Sequence, residues 1–443
     1  MTGSSGVGAD GADLVLRGRL VWFTDDPESL GSAACRFIGD GAIAVRGGLI
    51  AAVGAAAKIL AGPGAGLPVI DHRPNLIAPG FIDAHIHFPQ TQVIASYGAQ
   101  LLDWLNRYTF VEEQKFADPA HCERVAAFFL SELLRCGTTT AVAYCSVHPQ
   151  SADAFFAESE RRGARMIGGK VLMDRNAPEK LRDTAETGYR DSKALIARWH
   201  GRGRLGYAIS PRFAMTSTEA QMEAAGALVR EHSECHVQTH MSENRREIEA
   251  VLQVYPDARD YLSVYERFGL VTERTLIGHC IHMSESEWAR MHASRAVAVF
   301  CPTSNAFLGS GLFDWASARK KDRSVRVALA TDVGGGTSYS MLATAGEAYK
   351  ILNLNGQTFS PLQAFHAMTR GNAAALGLED RMGSFFAGAE CDAVVLDARA
   401  TPAMAHRMET VETLEEELFV LTTMGDDRAV AETYVMGRAM KGR

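Results

Sequence analysis

The sequence predicts an α/β protein. A (β/α)8 TIM-type barrel is expected over residues 78–380, with a small β-sandwich domain built from both chain ends, residues 1–77 and 381–443. Two observations predict it. Eight apolar strand candidates alternate with helical segments through the middle of the chain, which argues for a parallel sheet closed as a barrel. Strand-rich stretches occupy both ends and flank that middle. At 443 residues the chain suits a barrel of ~250 residues plus additions.

In chain order, Met1 to Asp10 is Gly/Ser-rich and reads as a flexible leader without a secretory signal. Residues 12–22 and 42–54 read as short strands, the second turning at Gly47-Gly48. The barrel strand candidates are 77–85, 138–144, 165–173, 205–210, 235–240, 275–279, 296–301 and 326–331. Helical candidates such as Pro119–Cys136 and Ser217–Ser233 lie between them. Ser96–Phe116 and Gly309–Arg323 read as long loops able to act as lids. Strand-like segments return at Ala393–Asp397 and Val430–Met440.

Composition excludes several functions. Hydrophobic residues make up 47% and charged residues 22%, the balance of a globular chain with a large core. The net charge of -7 and pI of about 6.1 leave no basic excess to hold a phosphate backbone, so nucleic acid is not expected as a partner. No run approaches the ~18 apolar residues of a membrane span. None of the eight cysteines forms a C-x-x-C pair, so they read as reduced, in a cytoplasmic chain, and a cysteine-based zinc site is not supported.

The chemistry lies at the strand ends. His85 and His87 follow the apolar run Leu76–Ile82 at i, i+2 spacing, which puts both imidazoles on one face of a strand. Catalytic residues of a (β/α)8 barrel sit at the C-terminal strand ends. There the fifth strand supplies His240, the sixth His279 and the eighth Asp332. A single histidine at a strand end is more often structural. Four strand ends delivering such groups to one rim point to a bound metal, Zn²⁺ by ligand type with Fe²⁺ also compatible. The fourth strand end, Ile209-Ser210-Pro211, carries no lysine, and Lys170 lies upstream of the third strand's end. One metal with an open position for water is therefore expected, not a lysine-bridged pair. Glu243, three residues past His240, is placed to shuttle protons without being a ligand.

These residues are similar to the amidohydrolase superfamily and, within it, resemble the guanine deaminases. The superfamily motifs are Pro79-Gly80-Phe81-Ile82-Asp83-x-His85-x-His87, Thr331-Asp332, Asn372-x-Ala374-x-Leu376-Gly377 and the stretch Gly383 to Asp397. The closer resemblance rests on His87-Phe88-Pro89-Gln90, Leu102 to Phe110, Ser210-Pro211-Arg212-Phe213-Ala214 and Thr331 to Ser338. It implies that His85, His87, His240 and Asp332 bind one Zn²⁺. It implies that Gln90, Arg212 and Phe213 hold the purine, alongside His87, His240, Glu243 and Asp332. It implies catalytic roles for Glu243, Asp332 and His279, with His279 a donor beside the reacting water. Hydrolysis of guanine to xanthine and ammonia follows, by a homodimer. Asp103 has no assigned role, and Trp104 and Tyr108 are candidates to wall the pocket.

The main alternative is a related deaminase or chlorohydrolase acting on another aminated heterocycle, such as a triazine. A barrel kept only for binding would be expected to have lost metal ligands, and none is lost here. The zinc deaminases with an H-x-E and P-C-x-x-C signature are excluded by the missing C-x-x-C pair.

Overall fold

The structure, a computed structural model, describes residues 11–97 and 100–442; the expected leader at Met1–Asp10 lies outside them. The N-terminal part contributes β1 (Leu14–Phe23), β2 (Cys35–Arg46), β3 (Leu49–Ala55) and β4 (Val69–Pro79). The middle contributes β5 (Phe81–His87), β6 (Thr138–Tyr144), β7 (Arg165–Gly169), β8 (Val171–Leu172), β9 (Gly206–Pro211), β10 (His236–Met241), β11 (Thr275–His279), β12 (Val297–Phe300) and β13 (Arg326–Leu329). The C-terminal part adds β14 (Ala393–Leu396), β15 (Val430–Val435) and β16 (Arg438–Ala439).

The chain ends meet in one sheet of order β16-β15-β14-β4-β1-β2-β3. The β-sandwich expected there takes the form of a continuous seven-stranded sheet with apolar clusters on both faces. Leu14, Leu16, Leu20 and Trp22 pack with Ile43 and Val45 on one side; Val15 packs with Ala42, Ala44 and Ile59 on the other. This is the period-two alternation of a sheet buried on both faces.

The barrel strands run in the order β5-β6-β7-β9-β10-β11-β12-β13, with the short β8 continuing β7 alongside β9. Their pairings are parallel. Ile82, Val142, Ile167, Ala208, Leu276 and Val297 join one buried cluster, which Ala373, Leu376 and Met382 complete.

Side chains close the seam between β13 and β5. Buried Asn372 donates to the carbonyls of Ile82 and Leu329 at 2.6 and 2.7 Å, and accepts from the Leu329 N–H at 2.9 Å. One turn higher, Asp83 accepts the N–H of Thr331 at 3.0 Å. At the rim, the N–H of Asp332 donates to the His85 carbonyl (2.9 Å) and that of His87 to the Val333 carbonyl (2.7 Å). The seam therefore sets the height of His85 and His87 against Asp332.

Three expectations are corrected. The first barrel strand begins at Phe81, not residue 77; Ile77–Pro79 belong to β4 of the terminal sheet. Gly80 lies between the two, its N–H donating to the Asp392 carbonyl at 3.0 Å, and a Cβ there would come within 2.3 Å of Thr139 Oγ1. The expected loop at Ser96–Phe116 is instead helical from Leu101 to Ala117, with a π turn at Leu105–Thr109. Its apolar residues Leu101, Trp104 and Leu105 recur at helical spacing and are buried. The segment Gly309–Arg323 carries a short helix, Trp315–Ala318. Two further helices, Pro402–Arg407 and Leu414–Met424, separate the C-terminal strands. Among the described residues no helix is long and apolar enough to cross a membrane.

Candidate active site

Four strand ends deliver the site. His85 and His87 close β5, His240 lies near the end of β10, His279 ends β11, and Asp332 follows β13. His279 and Asp332 adopt φ of 73° and 52°. Such left-handed geometry costs non-glycine residues of order 1–3 kcal/mol, and here it turns the chain sharply just past the strands. Gly278 leaves room beside them: a Cβ there would meet His85 Cε1 at 2.7 Å.

The Nε2 atoms of His85 and His87 each lie 3.1 Å from Nε2 of His240. They lie 3.4 and 3.3 Å from Asp332 Oδ1. Separations of this size are those of ligand atoms sharing one ion about 2.0–2.1 Å away. Protonation fits. His240 Nδ1 donates to the Arg212 carbonyl at 2.7 Å, leaving Nε2 as a lone pair. Burial, reinforced by the surrounding imidazoles, holds His240 well below the usual histidine range, and burial lowers His87 too. Burial resists ionisation of Asp332, but the adjacent His85 and His87 rings prevail and hold its carboxyl well below the usual range. Three imidazoles and a carboxylate form a donor set that could hold a metal ion.

His279 is differently placed. Its Nδ1 accepts from Asn305 Nδ2 at 2.9 Å, so Nε2 carries the proton. Nε2 lies 3.2 Å from Glu243 Oε2 and 3.9 Å from Asp332 Oδ2. Burial brings its pKa to about 3, so the ring is a neutral donor. His279, Cys301 and Asp332 form a second group with ligand-type atoms in mutual reach, but burial pushes the Cys301 thiol far up, which disfavours the thiolate a metal would need. Glu243 is buried beside the cluster, its Oε1 accepting from Ser310 Oγ at 2.8 Å. Burial, then the charges of Glu247 and Asp332, raise it well above the ordinary carboxyl value.

A cleft of about 430 Å³ opens over these groups and is lined by His87, His240, Glu243, His279 and Asp332 on its reactive side. Gln90, Arg212 and Phe213 line it as well, as do Leu101, Trp104, Leu105 and Leu308. Arg212 therefore serves two places: its carbonyl fixes His240 and its side chain faces the cleft. Of the other residues singled out in the sequence, Trp104 walls the cleft, with its indole N–H on the Ser96 carbonyl at 3.1 Å. Asp103 is exposed and Tyr108 is half-buried, outside the lining. Lys170 is fully buried against Asp183 at 2.5 Å, committed away from the imidazoles. Sequence reasoning missed Ser310, Asn305 and Glu113, which reach the site from segments without a motif. Glu113 bridges Gln90 (2.9 Å) and Arg212 (2.6 Å).

A barrel whose strand ends gather three imidazoles and a carboxylate beneath a cleft is built for hydrolytic chemistry at a metal-capable centre. The chain belongs to the amidohydrolase family, whose model matches residues 76–440. It is 45% identical to the guanine deaminase of Escherichia coli, over 97% of this chain and 98% of that protein. The crystal structure of guanine deaminase from Bradyrhizobium japonicum superposes with a TM-score of 0.93 at 39% identity, covering 97% of this chain and 99% of that one. A guanine deaminase from C. acetobutylicum, solved with guanine bound in its active site, matches with a TM-score of 0.87 at 28% identity, covering 97% and 100%.

Proposed function

We propose that this chain hydrolyses guanine to xanthine and ammonia. The observation that carries the reading is one cleft shared by two sets of groups: Gln90, Arg212 and Phe213, suited to a purine, and the imidazole–carboxylate cluster with Glu243 and His279. The similarity to guanine deaminases over nearly the full chain supports it. Guanine offers an O6 acceptor and ring nitrogens to a guanidinium and an amide, and apolar walls cover its faces.

His85, His87, His240 and Asp332 would hold one Zn²⁺, which when bound supplies Lewis acidity and lowers the pKa of water toward ~7. The remaining steps belong to side chains. Water adds at C2 as Asp332 accepts its proton and Glu243 delivers one to N3. The Nε2–H of His279 faces the oxygen that adds and stabilises its charge. The added oxygen then gives its remaining proton to Glu243 as it becomes a carbonyl, Asp332 passes its proton to the amino group, and the C2–N bond breaks to release ammonia and xanthine with both carboxyls restored. The same reading includes a homodimer in the cytoplasm; the eight thiols, all unbridged, suit a reducing compartment.

The test is ammonia release from a panel of guanine, adenine, cytosine and ammeline, with and without a chelator. Xanthine from guanine alone, lost on chelation, is expected. Turnover of ammeline without guanine would instead favour a triazine-type hydrolase.

A further inference from the structure

The buried carboxylate of Glu113 touches neither the imidazoles nor Glu243, yet it holds both polar side chains of the cleft's far edge. Its Oε1 accepts from Gln90 Nε2 at 2.9 Å and its Oε2 from Arg212 Nη1 at 2.6 Å. All three side chains are almost wholly buried. A carboxylate of this kind only accepts, so it settles which way the Gln90 amide faces. The nitrogen is drawn to Glu113, and the oxygen is turned to the Gly334 N–H at 3.3 Å. Arg212 has no acceptor to offer, and the Phe110 ring, 5.3 Å from its Cζ, covers one side. What this edge of the cleft still offers is N–H: the second proton of Gln90 Nε2 and the guanidinium protons not engaged by Glu113.

We propose that Glu113 is a positioning residue that makes this edge donor-only and thereby selects 6-oxo over 6-amino purines. The inference rests on the guanine reading above. A 6-oxo group accepts from both donors. A 6-amino group would turn its own N–H toward them and leave buried donors unpaired, the arrangement by which sites discriminate most strongly. Releasing Glu113 would let the Gln90 amide rotate and present its oxygen, relaxing the choice.

The test compares guanine with 2,6-diaminopurine, which keeps the reacting 2-amino group, replaces the 6-oxo acceptor with a 6-amino donor and leaves N1 without its proton. kcat/KM for both is measured in wild type, Glu113→Gln and Glu113→Asp, with metal per chain and thermal midpoint recorded alongside. Wild type is expected to prefer guanine by at least ~100-fold. In Glu113→Gln that preference falls at least about tenfold, chiefly through a higher KM for guanine, with metal content kept. Glu113→Asp keeps the charge but reaches only one partner, so it falls between the two and serves as the readout where Glu113→Gln does not fold. Equal loss on both substrates in whichever variant folds, leaving the preference at its wild-type value, would overturn the proposal. Wild type that releases no ammonia from guanine would overturn the guanine reading itself, and that arm is read before any variant.

Discussion

Replacing Asn372 with leucine, which keeps the branching and heavy-atom count of the side chain but cannot hydrogen-bond, should open the barrel seam. Asn372 is fully buried and makes three hydrogen bonds, to the Ile82 carbonyl and to both the carbonyl and N–H of Leu329. Each backbone group left unpaired in the interior costs about 1–3 kcal/mol, so the three together predict a loss of at least about 3 kcal/mol. That is a large share of the ~5–15 kcal/mol that holds a domain folded. The loss reaches the site because Asp83 follows Ile82 and Asp332 lies three residues past Leu329. Loosening these strands lets His85 and His87 slip against Asp332. Thermal unfolding of the metal-loaded protein should show a midpoint lower by roughly 3–5 °C or more, and metal affinity should weaken with it. A midpoint within about 1 °C of wild type would refute the view that this side chain closes the barrel.

Three further outcomes follow from the same structure. Glu243→Gln keeps the shape and the Ser310 contact, so it should retain metal while kcat drops about 10²–10⁴-fold; near-normal turnover by ammonia release would remove Glu243 from the proton path. Arg212→Lys replaces a planar fork with a point charge, so it should raise KM for guanine about tenfold or more with metal content unchanged, and an unaltered KM would place Arg212 outside the purine's reach. Burial holds His236 neutral, with its pKa lowered to about 4. A lowered folded-state pKa contributes stability that is present above ~6.5 and is lost as pH falls toward about 4, on the order of 3 kcal/mol. His236→Gln should therefore show a flatter decline in thermal midpoint across that window, and parallel curves would contradict the assignment.

The fold was largely legible because barrel strands are continuous apolar runs. Thr138–Tyr144 and Thr275–His279 match their expected bounds to the residue. The run Leu76–Ile82 misleads because it is shared by two sheets, which meet at Gly80. Ser96–Phe116 reads as a loop although Leu101, Trp104 and Leu105 carry a helical period; the π turn at Leu105–Thr109 interrupts that pattern. At the site, His85, His87, His240 and Asp332 could be named because strand ends of a barrel share one rim. Glu113, Asn305 and Ser310 could not. Each acts through one hydrogen bond or two made across the fold, such as Ser310 to Glu243 over 67 residues of chain, and no spacing rule encodes such a contact. Asn372 belonged to a motif, but its work as the seam's hydrogen-bonding partner appears only once β5 and β13 lie side by side.

The most direct test of the account is a metal titration of stripped protein with guanine turnover followed at each step. One four-ligand centre serving this cleft predicts that xanthine formation rises linearly with Zn²⁺ and stops at one ion per chain. Full turnover without metal, or a rise that continues to two ions per chain, would contradict it.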